Sequence, residues 1–541
     1  MSQRLSQLDA LPKLKNISIG NTIGQGSFAV VKVGQLIKNP QRLVAIKYIH
    51  RRISNKKGVS DEKIGLELQI HKACTGHPNI IGLHMFGTDN TWIYIIMELA
   101  ESGDLFDKIE PGVGIDETLA HFYFKQLVNA VDYIHSKGVA HRDIKPENIL
   151  IDAEGNLKLA DFGLATVYKR TNKEKRLSHD KCGSPPYMAP EIVSSQGYDA
   201  TMSDVWACGV VLFVLMCGQI PWQEPSYGVD ADFTNYVDFD GKLNESPWNV
   251  FDSTFKAFLR SVLKPDVSTR LTLQAIRLHP WVNHENVFMN SDNQCKDAEQ
   301  LSEQLLSNLQ VGLSDEDIHD TIKATQDYKK LNQKYQKFIS NSQPAQDMAV
   351  LIDDIDEQRQ RAVPATQDQL LFKNNKLPSY NLEDDQERIL AIVSKDPANL
   401  QFVSPQLRVS QLTSTQRRLA DFKRLPFSRA ERLTKFYSIL PIVSLVSILR
   451  DALHRIGVST SDSIDHLSND DLMELSTVNI GINILGEKSK MPLKGTIKIN
   501  QCDCSLQLYK ISFVKSKGDP LEWRQFFKKV TILSREAVYI E

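Results

Sequence analysis

Along the first half of the chain, apolar residues alternate with polar ones in short runs and then settle into a helical spacing. Ile17 to Gln35, Leu43 to His50 and Trp92 to Leu99 read as strands, since β-branched and aromatic residues recur there between turn signals. Asp61 to Cys74 reads as a helix. In Glu117 to His135 the residues Phe122, Leu127, Val131 and Ile134 fall on one helical face, and Gly138 ends it. A strand-rich part followed by a helical part predicts two lobes of an α+β domain. Val205 to Trp222 carries no charge, but Gly218 and Pro221 interrupt it. It falls short of the roughly 20 apolar residues that a membrane span needs, and predicts a buried core helix.

The pattern then weakens. Gln, Asn, Ser and Asp dominate Met289 to Gln300, Asn332 to Gln346 and Asp353 to Gln369, which predicts a flexible linker over 285–425 with a helix near Asp297 to Leu309. Order returns at about residue 426. Leu445, Ile448, Leu449, Ala452 and Ile456 share a helix face that ends at Gly457, and Leu493 to Ile499 and Leu506 to Phe513 alternate like half-buried strands. Asp519 as N-cap, Pro520 at the first position and Glu522 one turn in predict a last helix with Trp523, Phe526, Phe527 and Val530 inward. A small C-terminal α+β domain over 426–541 follows.

Composition adds limits. The 541 residues hold 64 Lys plus Arg against 66 Asp plus Glu, a net charge of −2. That balance argues against a polybasic nucleic-acid binder, so no direct contact with nucleic acid is expected. Seven cysteines, odd in number and dispersed, point to a reducing intracellular compartment. Charges at Arg4, Asp9, Lys13 and Lys15, with no apolar core between them, predict no secretory leader. Stable membrane association is not expected.

The chemistry sits in the first domain. Gly24-Gln-Gly26-Ser-Phe-Ala29 lies between two apolar runs, where glycines either cradle phosphate or close a hairpin. Val44-Ala45-Ile46-Lys47 places an ammonium in an apolar run, where it needs a counter-ion. Glu67 and Glu62 are both available in the helical stretch that follows. His141-Arg142-Asp143-Ile-Lys145-Pro-Glu147-Asn148 comes next, then Asp161-Phe-Gly163 and Ala189-Pro-Glu191. In this order the series resembles the protein kinase family over 17–284, with a small lobe at 17–100 and a large lobe at 101–284.

The resemblance implies a bilobal kinase fold using ATP and Mg²⁺. Gly24, Gly26, Val31, Ala45 and Lys47 would line the nucleotide site, with Glu67 as the counter-ion of Lys47. Met97 would be the gatekeeper, and Glu98 to Ala100 the hinge that meets adenine. Asp143 would receive or orient the substrate hydroxyl, Lys145 would neutralise the transferring phosphoryl group, and Asn148 and Asp161 would bind the metal. Asp204 would brace the catalytic loop and Arg270 would pair with Glu191. Lys145 and Ser184 imply Ser/Thr as acceptor. Glu147, Asp104 and Glu101 are candidates to attract a basic residue upstream of it, although Asp104 also suits the ribose. Asp180 stands where many members carry a phosphothreonine, so a fixed carboxylate is expected to pair with Arg142 and keep the domain active without phosphate.

Finer resemblances lie in Gly103 to Pro111, Phe162 to Thr166 and Gly218 to Trp222. They are similar to the type-one DNA-damage checkpoint effector branch of the family, and Ser184 to Pro190 has a fungal texture. Leu433 to Tyr437 and Lys517 to Trp523 resemble that branch's two C-terminal motifs, which implies a kinase-associated-domain-1-like fold. Ser/Thr-Gln pairs at Thr325, Ser342, Thr366, Ser410 and Thr415 are then candidate sites for an upstream damage-sensing kinase. Lys515, Lys517, Arg524, Lys528 and Lys529 form either a solvated basic face, an anionic-lipid site, or a surface that docks on the kinase lobe and inhibits it. A protein acting in the nucleus, and in part the cytoplasm, is implied. A metabolic AMP-sensing type of kinase and a scaffold pseudokinase are the alternatives; Asp180 with the Ser/Thr-Gln cluster argues against the first, intact Lys47, Asp143, Asn148 and Asp161 against the second.

Overall fold

The computed structural model describes residues 10–26, 28–169, 174–194, 197–340, 382–394, 396–402, 433–458, 477–487, 490–502 and 506–540. Its small lobe is an antiparallel sheet of β1 (Ile17–Gln25), β2 (Ala29–Leu36), β3 (Asn39–His50), β4 (Leu83–Thr88) and β5 (Trp92–Glu98), in the order β1-β2-β3-β5-β4. Helix α1 (Asp61–Cys74) packs on it, started by the Ser60 hydroxyl, which accepts from Lys63 N. Val31 lies opposite Lys47, and Ala45 opposite Met97. Strand alternation therefore sets Val31, Ala45, Lys47 and Met97 on one face of the sheet.

The large lobe is built on α2 (Glu117–Ser136) and α3 (Ala200–Cys217). Phe122, Leu127, Val131 and Ile134 are all 0% exposed, as their spacing predicts. Asp116 and Asp199 cap the two helices. The uncharged run expected as a core helix is α3, buried along nearly its whole length in the large-lobe core. Gly218 ends it at φ +64°, where a side chain would collide with the Glu110 carbonyl.

Within the segment expected as linker, the helix expected near Asp297 to Leu309 forms, and a second, longer one follows that was not expected. α4 (Ala298–Ser307) buries Leu301 and Leu305 in the large-lobe core. α5 (Asp315–Ser340) packs on the C-terminal domain, where the Tyr328 hydroxyl donates to Leu485 O at 2.9 Å and Asn332 Nδ2 to Ile456 O at 3.2 Å. In both helices the two anchoring residues are four apart, one above the other on a single face. Ser342, Thr366, Ser410 and Thr415 lie outside the described residues.

The C-terminal domain has β6 (Lys435–Ser438), α6 (Ile442–Arg455), β7 (Thr477–Leu485), β8 (Pro492–Gln501), β9 (Tyr509–Lys517) and α7 (Pro520–Leu533). Its antiparallel sheet runs β6-β9-β8-β7, and the apolar faces of α6 and α7 close over it. The strand expected from Leu506 begins only at Tyr509. Leu506 and Leu508 fill a separate cluster with Tyr437 and Val393. α7 starts as predicted, with the Asp519 carboxylate accepting from Glu522 N at 2.9 Å and Pro520 at its first position. Leu521 on this helix packs with residues of the large-lobe core.

Candidate active site

Lys47 Nζ lies 3.6 Å from Glu67 Oε1 and 3.8 Å from Asp161 Oδ1. The choice between Glu67 and Glu62 is thereby decided for Glu67. Asp161, and after it Glu67, hold the Lys47 ammonium well above the usual lysine range, and Lys47 in turn holds the Asp161 carboxyl low. Phe162 turns Asp161 this way: it is 1% exposed, stacked on His71 with ring centroids 4.7 Å apart and packed beside His141. The sequence reading missed His71, whose Nε2–H donates to Ile81 O at 2.7 Å and which burial keeps below the ordinary histidine range. Its one sequence signal is its place on α1, ten residues before the strand-side carbonyl it meets.

The catalytic loop is held by Asp204, 1% exposed, which accepts from His141 N and Arg142 N at 2.8 Å each and pairs with His135 Nε2. Within the loop, Lys145 Nζ lies 2.8 Å from Asp143 Oδ2, and Asn148 Nδ2 donates to the same carboxylate at 3.1 Å. The Ser184 hydroxyl donates to Asp143 Oδ1 at 3.1 Å and accepts from Lys145 Nζ at 2.9 Å. A hydroxyl between a carboxylate that takes its hydrogen bond and an ammonium that meets its oxygen is poised as a nucleophile. Burial pulls the Lys145 ammonium down, but Asp143 and Glu147 outweigh it and raise it, so it stays cationic. Arg270 and Glu191 form a bidentate pair at 2.7 and 2.8 Å behind the site.

The nucleotide end is consistent with ATP and Mg²⁺. The Ala100 N–H, on a residue 7% exposed, meets no acceptor among the described residues and is left for a ligand edge. The Glu98 side chain points elsewhere, 2.6 Å from Lys158 Nζ, so Glu98 offers the hinge only its backbone. Gly24 pairs with Val31, and Gly26 N donates to Ala29 O at 2.7 Å. Ala160 N donates to Asn148 O at 2.9 Å, which ties the Asn148 backbone to the segment that leads into Asp161. An amide oxygen and a carboxylate are hard-oxygen donors of the kind magnesium takes.

Other expected residues play less direct parts. The Asp104 carboxylate accepts from Asp107 N at 2.7 Å and caps the short helix Leu105–Lys108. Asp180 Oδ2 lies 3.7 Å from Arg142 Nη1 but is 84% exposed, a geometry worth about 0–1 kcal/mol. Thr325 is 3% exposed inside α5, its hydroxyl donating to Thr321 O at 2.7 Å. The expected basic face is not one surface. Arg524 is buried on Glu110 with Lys528 beside it, and Lys529 pairs with Glu487.

Comparison with known proteins identifies the family of the chain. The family model for the protein kinase domain matches residues 17–282. The serine/threonine-protein kinase CHK1 of Saccharomyces cerevisiae is 38% identical over 99% of both chains, and chk1 of Schizosaccharomyces pombe is 32% identical over 95% of both. The CBL-interacting protein kinase 9 of rice is 42% identical over 49% of this chain and 56% of its own length.

Proposed function

This chain belongs to the protein kinase family and is a Ser/Thr protein kinase related to the fungal CHK1 kinases, and from that premise we propose that it relays DNA-damage or replication-stress signals by phosphorylating other proteins. Its substrates on this reading carry a Ser or Thr acceptor with a basic residue upstream, attracted by Glu147 and Asp104. The observation that carries the chemistry is the hydroxyl held between Asp143 and Lys145. A substrate hydroxyl in that position loses its proton toward Asp143, while Lys145 offsets negative charge on the phosphoryl group. When bound, ATP with Mg²⁺ supplies that group, held by Lys47, Asn148, Asp161 and the hinge backbone. The unphosphorylated activation segment already leaves Asp161 facing Lys47, which supports activity without a phosphate on that segment.

The seated C-terminal domain is read as an inhibitor. α7 lies against the short helix Leu105–Lys108, Leu433 N donates to Asp107 Oδ2 at 2.8 Å, and Asp519 lies beside Glu147 and Tyr187. These are contacts with the rim of the substrate groove that only the docked state makes, as a switch requires. Modification of the Ser/Thr-Gln sites by an upstream damage-sensing kinase would favour the undocked state. The nucleus, with a cytoplasmic pool, is the place of action on this reading.

The test is transfer of labelled phosphate by the full chain to a serine peptide with Arg three residues upstream. Asp143→Asn is expected to lower kcat by at least about 100-fold with the KM for ATP within about twofold. Undiminished transfer by Asp143→Asn would sink the assignment.

A further inference from the structure

Asp104, Asp107 and Glu110 are spaced three apart along and just beyond the short helix Leu105–Lys108. Each uses its carboxylate differently. Asp104 caps the helix, Asp107 accepts from Leu433 N, and the Glu110 carboxylate, among the described residues, is held by groups from beyond residue 284. Among the described residues, the partners of the Glu110 carboxylate are Arg524 Nη2 at 3.3 Å, Gln310 N at 3.4 Å and Lys528 Nζ. Among the described residues no cation of the lobe itself pairs with it, and undocking removes both cations and leaves the carboxylate without a counter-charge.

Arg524 gives an independent indication that this position takes cations. It is 0% exposed, and its Nε and Nη1 have no hydrogen-bond partner among the described residues. Its remaining nitrogen is shared between Glu110 and Gln401 Oε1, the latter at 3.2 Å. A guanidinium buried with donors unsatisfied is tolerated only where a carboxylate compensates its desolvation. The pocket at Glu110 therefore accepts a large cationic side chain even without full hydrogen bonding, and the ammonium of Lys528 besides.

We propose that Glu110 is a specificity-determining residue: in the undocked enzyme it receives a second basic side chain of the protein substrate, and Arg524 and Lys528 hold that position while the C-terminal domain is docked. This rests on the reading of the chain as a kinase for basic Ser/Thr sequences, with the docked domain as inhibitor. The spacing fixes where the side chain falls. Six residues of short helix and turn from Asp104 to Glu110 span roughly 10–12 Å at about 2 Å per residue. Extended peptide covers that in about three or four residues at ~3.3 Å each. If a basic residue three before the acceptor meets Asp104, the second basic residue falls about six or seven before it.

The experiment uses the full chain carrying Arg524→Met and Lys528→Met, substitutions that keep apolar bulk in the interface. Two serine peptides are compared, both with Arg three residues upstream, one with Arg and one with Ala at six and seven upstream. The Arg-rich peptide is expected to be favoured about tenfold in kcat/KM, chiefly through KM, which corresponds to about 1.4 kcal/mol. Adding Glu110→Gln is expected to bring the ratio to about one, and Glu110→Asp to retain a preference. A preference that survives Glu110→Gln, or none in the parent variant, overturns the proposal. Turnover of the plain peptide reports separately on docking and on folding. A preference without raised turnover upholds Glu110 and counts against inhibition by docking. Raised turnover without a preference does the reverse.

Discussion

Asp204 organises the catalytic loop without reaching the substrate. Its two oxygens each accept one backbone N–H, from His141 and Arg142, and Arg142 sits at φ +65°, a conformation that costs a non-glycine residue about 1–2 kcal/mol. The carboxylate is what makes that backbone shape affordable. In Asp204→Asn one acceptor becomes an NH₂ donor facing an N–H, and an unsatisfied buried donor costs about 1–3 kcal/mol. We expect kcat to fall about tenfold or more and the melting temperature by a few degrees, with the KM for ATP within about twofold. Full activity in Asp204→Asn would contradict this account. At this scale the sequence is most legible, because chemistry restricts residue type: Lys47, Asp143, Lys145, Asn148 and Asp161 were each marked by a motif. Residues recruited by packing carry no such mark, which is why His71 beneath Phe162 and Glu110 beneath Arg524 were not foreseen.

Whole elements were legible where burial is apolar and obscure where it is polar. α2 and α3 declare themselves through rows of Phe, Leu and Val. α5 does not, since its apolar residues are sparse and its hold on the C-terminal domain includes the Tyr328 hydroxyl and the Asn332 amide, residues that composition counts as linker. The consequence reaches Thr325, enclosed in the same helix at 3% exposure. A modifying enzyme needs the acceptor in an open backbone, so Thr325 becomes a substrate only when α5 leaves the domain. Replacing Tyr328 by Phe and Asn332 by Ala removes three hydrogen bonds, each worth about 1 kcal/mol net. Phosphate incorporation at Thr325 by a Ser/Thr-Gln-directed kinase, followed by mass spectrometry, should rise at least about fivefold in that variant. Equal rates in the variant and the unaltered chain would show that α5 opens freely and guards nothing.

The seat of the C-terminal domain on the large lobe is electrostatically uneven. At one end Glu110 holds two cations; at the other, half-buried Asp519 lies near Glu147 and its own helix's Glu522, with Lys515 the opposing charge. Burial first, then Glu147 and Glu522, push the Asp519 carboxyl up to about 7, against Lys515 and the Glu522 N–H that pull it down. Undocking removes Glu147 and admits water, which returns Asp519 toward the ordinary range near 3.8. On the docked-to-free reading proposed above, the docked state binds a proton that the free state releases. Its advantage is complete below about pH 4 and is lost progressively as pH rises through about 7, where the ionised carboxylate faces Glu147 and Glu522 with Lys515 only partly offsetting them. Asp519→Asn keeps an N-cap for α7 but cannot ionise. The ratio of basal activity between the unaltered chain and Asp519→Asn, taken in the full-length protein, should therefore climb several-fold from pH 6 to pH 8, because only the unaltered chain loses docking over that interval. Taking the ratio cancels the pH dependence of catalysis itself, so a ratio flat across that range would mean that Asp519 does not set the balance between docked and free enzyme.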